Sequence, residues 1–443
     1  MVRIFFLYRR KTINALLSVF IGLTIIYHLY VFFVINAYDL SVMQQKTNLI
    51  RDTYIRTKLW KTSIHSNKYC VIYNYWEMGE EFSRDHITLV LHSTINYLYY
   101  LKKQLETWQG GISIAVLIPN PGLGDDKNII YASESKGFFQ MALDTLEISF
   151  FKELKEINQI SLHLFFEKQN YNDCPSIIIN KTPLSKDIDL EFIKKYGGAP
   201  IIYPINVARN IARKGIKTEL FISGDIEQFY VQNFESRMFK LARQVLLKEK
   251  QRTVLIYRRF EIAEGVSVPK NKRELKIFLS QNLSVPFHSK LFYRGHIIPH
   301  LDKWLSTVEV MEESKITEVL PYNNFEWEVQ FVGDSRVPFH DERFPYRFRN
   351  NAQLALHLCF MNFTFSVVSD VFSIHRGISV KGNRKHLSHQ KFIHKFKFRN
   401  LRNSYNKELK NRYPKIKNIC LQRKHKNFHK NDIITTVIKY FFS

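Results

Sequence analysis

Ala15 to Ile35 is a nearly unbroken run of 21 apolar residues. An α-helix of about 20 such residues crosses the roughly 30 Å hydrocarbon core of a bilayer. A chain with this segment near one end either keeps it as a membrane anchor or loses it as a signal peptide. A signal peptide has an apolar core of only about 7–15 residues and a small-residue cleavage site. The run here is longer, and Tyr30-Val31-Phe32-Phe33-Val34-Ile35-Asn36-Ala37-Tyr38 is a poor cleavage context. A retained anchor is therefore expected. Arg3, Arg9, Arg10 and Lys11 precede the run, and the first acid, Asp39, follows it. Positive charge on the near side places the N-terminus in the cytoplasm. The expected plan is a cytoplasmic tail over 1–12, a transmembrane signal anchor over 13–36, a stem over 37–67, a luminal folded domain over 68–380 and a basic tail over 381–443.

The net charge of +25 is uneven. From Lys381 onward, 18 Lys and Arg stand against Glu408 and Asp432. The basic excess belongs to the tail, which argues against a nucleic-acid-binding domain, and none of the usual nucleic-acid modules is evident. Cys70, Cys174, Cys359 and Cys420 are far apart, with no metal-ligand spacing. In an oxidising lumen they allow one or two disulfides, with the pairing open. For Cys359, in an apolar helix-like run, a free buried thiol is the alternative. Sequons at Asn180, Asn282 and Asn362 fit a luminal domain, with Asn362 expected to be the least exposed.

Thr88 to Leu91 reads as a short buried strand, followed by His92-Ser93-Thr94 as a turn. Leu98, Leu101, Leu105 and Trp108 then recur at helical spacing, and Ile112 to Ile118 is a second strand. This is a β-α-β unit, the opening of a nucleotide-binding α/β fold. The His-Ser-Thr turn lies where a nucleotide would sit; a plain helix cap at Ser93 or Thr94 is the alternative.

A second apolar run, Leu220 to Ile222, leads into Ser223-Gly224-Asp225-Ile226-Glu227. In extended backbone, residues i and i+2 point the same way. Asp225 and Glu227 then offer hard oxygen ligands past the end of a strand, a pattern that suits a divalent cation carrying a diphosphate. A solvated turn with capping carboxylates is the plain alternative. The preceding helix opens at Pro204 and carries Asn206, Arg209, Asn210 and Arg213 on one face. That face reads either as solvated or as a cationic wall beside a diphosphate or sugar carboxylate. His340 to Arg347 packs charge and aromatics without periodicity, the composition of a site-lining loop or of a surface loop with ion pairs. Trp327 reads as a sugar-stacking or a core residue, and His375 as structural unless context makes it a ligand.

Taken in order, Tyr203 to Arg213, Phe221 to Glu227, Trp327 to Phe331, Asp341 to Phe344 and Val371 to Gly377 resemble glycosyltransferase family 49. That family includes β-1,4-glucuronyltransferase and the C-terminal domain of LARGE-type enzymes. The resemblance runs from about Thr88 to Gly377. It implies a type II Golgi enzyme of the GT-A fold, a Rossmann-like mixed sheet flanked by helices, with its catalytic domain luminal. It implies a UDP-sugar donor, Mn²⁺ or Mg²⁺, a glycan acceptor on protein or lipid, and inverting transfer of glucuronic acid. Asp225 matches the first acid of the family's Asp-x-Asp triplet, and Glu227 replaces the second. His375 matches the third metal ligand. Asp341 matches the acid taken as catalytic base, with Glu342 as its understudy. His92, Ser93, Thr94, Asn206, Arg209, Asn210 and Arg213 are the candidate donor-binding residues. The competing expectation, motivated by Glu227, is a catalytically inactive Golgi protein that binds glycans or partners on the same fold. A third is a membrane protein that binds polyanions through its tail.

Overall fold

In a computed structural model of the chain, residues 18–44, 57–120, 129–131, 137–168, 173–180, 203–344, 346, 348–379, 385–416 and 420 are described. The chain divides into two units, 1–60 with 178–183 and 61–177 with 184–443. The first carries helix α1, Ser18–Gln44, 27 residues long and apolar enough to cross a membrane by length and composition. It continues past Asn36, so the first residues of the expected stem are helical.

The second unit is built on one mixed sheet of twelve strands. In chain order these are β1 Ser63–His65, β2 Tyr69–Trp76, β3 Ile87–Thr94, β4 Ile112–Leu117, β5 Ile160–Glu167, β6 Leu220–Ser223, β7 Gln228–Tyr230, β8 Thr253–Ile262, β9 Ser284–Pro286, β10 Ile316–Leu320, β11 Phe331–Asp334 and β12 Thr364–Arg376. Across the sheet they run β7-β12-β8-β11-β6-β3-β4-β5-β2-β1, with β9 on β8 and β10 on β12. Strands β6, β3, β4 and β5 are parallel neighbours. Ile87 to Leu91 is buried throughout, as expected of a parallel strand covered on both faces.

Strand β3 is longer than the apolar run suggests. Its ladder with β4 continues to Thr94 opposite Leu117, so His92, Ser93 and Thr94 are strand residues and not a turn. No side chain caps the segment after it, which is a 3₁₀ turn, Ile95–Tyr100, leading into helix α2, Leu101–Thr107. The two hydroxyls that could cap it are turned elsewhere, Ser93 Oγ to the Thr94 carbonyl and Thr94 Oγ1 to Asn96.

The chain steps outward from β3 to β4 to β5, then returns to lay β6 on the other side of β3. That reversal opens a crevice at the carboxyl ends of β3 and β6, where sheets of this kind bind ligands. Helix α3, Ile205–Lys214, packs on this part of the sheet. It starts after Pro204, whose missing N–H costs nothing there, and ends at Gly215. Ala208, Ile211 and Ala212 share a core with Val90, Ala115 and Phe221.

Strand β12 is 13 residues long and changes partners part-way. Its register against β8 shifts around Asp370, which has φ 63°. Before the bulge β12 pairs with β10, and after it with β7. Helices α4, Ala352–Phe360, and α5, Lys385–Arg412, complete the unit. Tyr405 and Leu409 of α5 are buried in the main core. Disulfides join Cys70 to Cys174 and Cys359 to Cys420, so Cys359 is not a free thiol. Asn362 is exposed like Asn282, because it ends α4 in a left-handed turn at φ 58°. Trp327 is a core residue, its indole N–H donating to the Ile297 carbonyl at 2.9 Å.

Candidate active site

Register builds the site. Val90 of β3 lies opposite Ser223 of β6, and the Gly224 N–H donates to the Val90 carbonyl at 3.0 Å. Two residues further along each chain are His92 and Asp225, and His92 Nε2 is 3.5 Å from Asp225 Oδ1. Arg209 of α3 reaches the same oxygen, also at 3.5 Å. Asp225 and Glu227 belong to a tight turn, closed by Gln228 N–H to the Asp225 carbonyl at 3.0 Å. Beyond the turn, β7 pairs with β12 and sets Gln228 opposite His375. Glu227 Oε2 is then 3.6 Å from His375 Nε2. The two acids therefore sit on a turn, each facing its own histidine.

Both carboxylates open to solvent, with side chains 38% and 40% exposed. Burial alone would raise the Asp225 carboxyl, but His92 and the Arg209 charge outweigh it and hold it well below its ordinary range. Burial pushes the His92 imidazole down, partly offset by Asp225. Burial would also lower His375, but Glu227 lifts it above its ordinary value.

The other residues of the polar face of α3 are engaged elsewhere. Asn206 donates to the carbonyls of Asp341 and Phe344 at 2.9 and 3.2 Å. Asn210 exchanges bonds with the backbone of His340 and donates to Glu342 Oε1 at 2.8 Å. Arg213 donates to the carbonyls of Val337 and Pro338, its guanidinium 4.1 Å from the Phe221 ring centroid and 4.6 Å from that of Phe339. These bonds satisfy a loop without secondary structure whose backbone is partly buried. Ser93 Oγ is turned to the Thr94 carbonyl, and Thr94 Oγ1 to Asn96. Of the seven candidate donor-binding residues, His92 and Arg209 face the acidic turn.

Asp341 accepts a bidentate bond from Arg343, which also holds Glu408 of α5. Glu342 accepts from His65 Nε2 at 2.6 Å, from Ser66 and from Asn210. Burial would raise the Glu342 carboxyl, but these three bonds lower it. A third acid was not singled out by the sequence. Glu328, between β10 and β11, has no hydrogen bond to its carboxylate among the described residues. Burial raises it, against the charges of Arg259 and Arg209. Tyr97, on the 3₁₀ turn after β3, stacks at 6.5 Å on Tyr100 and feels the Glu227 charge. Tyr97 had no signal in sequence spacing; Glu328 lay inside the Trp327 to Phe331 stretch of the resemblance, but nothing in its spacing gave it a role.

No group of three His, Cys, Asp or Glu side chains among the described residues forms a metal cage. The donors at the turn nonetheless suit a hard divalent cation. They are two carboxylates whose ion pairs are 3.5 Å or longer, and an imidazole whose buried Nδ1 has no partner.

Residues 86–414 match a family model described as a glycosyl-transferase for dystroglycan. The chain belongs to this family, glycosyltransferase family 49. This glycosyltransferase is 26% identical over 347 residues to beta-1,4-glucuronyltransferase 1 of Danio rerio, covering 76% of each chain. It is 29% identical over 184 residues to the Bos taurus protein of the same name, covering 41% of this chain and 42% of that one. It is 25% identical over 177 residues to the xylosyl- and glucuronyltransferase LARGE1 of Gallus gallus, covering 39% of this chain and 22% of that one.

Proposed function

We propose that this glycosyltransferase is a type II Golgi membrane enzyme that transfers glucuronic acid from UDP-glucuronic acid to a glycan acceptor with inversion. The observation that carries the reading is the acidic turn at the β3/β6 crevice of a family 49 chain. The order of the parallel strands supports a GT-A core. The names of the similar proteins support the donor, and helix α1 supports a membrane anchor with the catalytic unit luminal.

Asp225, Glu227 and His375 would hold a divalent cation, Mn²⁺ or Mg²⁺, which when bound neutralises the leaving diphosphate. Arg209, steadied by Asn206 at 3.2 Å, adds a fixed positive charge beside the same turn. Tyr97, exposed on the 3₁₀ turn after β3, offers an aromatic face to the nucleoside. We assign the base to Glu328, in place of Asp341, because its carboxylate accepts no hydrogen bond among the described residues, His296 Nε2 standing 3.9 Å off, and burial favours its taking a proton. The acceptor oxygen attacks the anomeric carbon opposite the leaving nucleotide as its proton passes to Glu328. The C–O bond to the diphosphate breaks in the same displacement, UDP leaves, and the configuration inverts.

The test is UDP release by the full chain in detergent, with Mn²⁺, a panel of UDP-sugars and glycan acceptors. Release confined to one donor, reduced about 100-fold or more in Asp225→Asn, is expected. Absence of both release and Mn²⁺-dependent UDP binding would leave the catalytically inactive glycan-binding protein as the reading.

A further inference from the structure

Beside the acidic turn lies a cavity of about 400 Å³ counting its open mouth, lined by Arg259, Phe287, Tyr293, His296 and Ile298 among others. The Phe287 ring joins the cavity to the turn, with the Arg259 guanidinium 4.3 Å from its centroid and the His375 ring 5.8 Å away.

Arg259 differs from the protein's other buried arginines. Arg237 has Glu309 and Asp370 within 4.0 Å, and Arg209 has Asp225. Arg213 and Arg258 each hold two backbone carbonyls through both terminal nitrogens. No carboxylate lies within ion-pairing distance of Arg259 among the described residues, although it feels the charges of Asp225 and Glu328 from further off.

Its orientation is fixed. Nη2 donates to His296 Nδ1 at 2.6 Å and to the Glu328 carbonyl at 2.9 Å. Because His296 Nδ1 accepts, its ring proton is on Nε2, which donates to His288 Nδ1 at 3.1 Å. His288 Nε2 then points at Glu261 Oε1, 3.7 Å away. A relay of two imidazoles, anchored on a buried carboxylate, holds the guanidinium still. Nη1 and Nε have no partner among the described residues. A guanidinium held by one nitrogen with the rest of its planar fork free is preorganised for a carboxylate.

We infer that Arg259 recognises the carboxylate of the transferred sugar, so that this cavity selects a uronic acid over its neutral counterpart. The inference rests on the reading of the chain as a UDP-sugar transferase. It assigns selection to a residue of β8 and not to the helix α3 arginines. A neutral sugar in the same place leaves the guanidinium partly desolvated and unpaired, which is the source of discrimination.

The experiment is calorimetry on the full chain in detergent with Mn²⁺ and three ligands: UDP, UDP-glucose and UDP-glucuronic acid. The wild type is expected to bind UDP-glucuronic acid about 10–100-fold tighter than UDP-glucose. Arg259→Gln should erase that preference while UDP affinity stays within about twofold. Arg259→Lys should keep part of it, since a point charge replaces the fork. Equal binding of the two sugars by the wild type overturns the inference, and this comparison decides even where the variants fail to fold. Loss of UDP affinity in Arg259→Gln equal to the loss for UDP-glucuronic acid also overturns it, because Arg259 would then serve the diphosphate. A wild type that binds no UDP compound defeats the transferase reading itself, and this inference with it.

Discussion

Asp341, Glu342 and Glu328 are three acids near one crevice with three different surroundings. The Asp341 carboxylate is engaged by Arg343, the Glu342 carboxylate by three donors, and Glu328 by no hydrogen bond among the described residues, its burial opposed by the charges of Arg259 and Arg209. Glu328→Gln is expected to lower turnover by about 100-fold or more with UDP binding retained. Asp341→Asn should instead lower the melting temperature and change turnover less; the reverse pattern would return the base to Asp341. Glu342 also predicts a pH dependence. Folding lowers its pKa from the ordinary 4.5, so the folded state binds fewer protons than the unfolded one. Its stabilising contribution is complete above that value and is lost as pH falls through the folded value. The difference in melting temperature between wild type and Glu342→Gln should therefore be largest near neutrality and shrink on acidification; a constant difference down to pH about 3 would count against it. Asp225 and Glu227 stood out in the sequence because acid spacing at a strand end is a local signal, whereas His375 was singled out only through the family resemblance. Arg259, His296 and Glu328 did not stand out, because they come together only where the segment after β9 and the loop before β11 fold against β8, far apart in sequence.

Helix α3 shows how much an element's pattern conveys. Pro204 marked its start, and Asn206, Arg209, Asn210 and Arg213 marked one face. The burial of that face was not legible, because it depends on a loop more than 120 residues later whose carbonyls it satisfies. The end of α3 is packed as tightly as its middle. A Cβ on Gly215 would lie 2.0 Å from His163 Nε2. That ring is buried in β5, with the Asn74 N–H donating to its Nδ1 at 3.0 Å and Nε2 bonded to Ser113 Oγ at 3.0 Å. It has nowhere to swing. Gly215 has φ −82°, so backbone strain is not the issue. Gly215→Ala is expected to cost about 1–3 kcal/mol through overpacking, read by denaturant unfolding. The double variant with His163→Ala should recover part of that loss, because the clash goes with the ring. A neutral Gly215→Ala would mean that the strand and helix separate more easily than their packing implies.

At the scale of the whole molecule, charge misleads where packing does not. The residues after 380 carry most of the chain's basic excess, and charge alone makes them a tail. Yet Tyr405 and Leu409 lie in the same core as α3, Arg343 pairs with Glu408 as well as Asp341, and Cys420 is tied to Cys359. The loop closed by that disulfide spans 61 residues. Cross-linking a loop of that size contributes about 4 kcal/mol in the chain-entropy description. Cys420→Ser is therefore expected to lower the melting temperature by roughly 5 °C. Removal of residues 381–443 should go further and abolish recovery of folded protein, since it also strips the apolar cover from α4. The measurement is secretion and thermal unfolding of the three forms with the anchor replaced by a cleavable leader. A truncated form that melts with the wild type would make the segment a tail and break the link between α5 and the core. A Cys420→Ser form as stable as wild type, beside a truncation that does not fold, would place the contribution in the apolar contacts of Tyr405 and Leu409 and not in the cross-link.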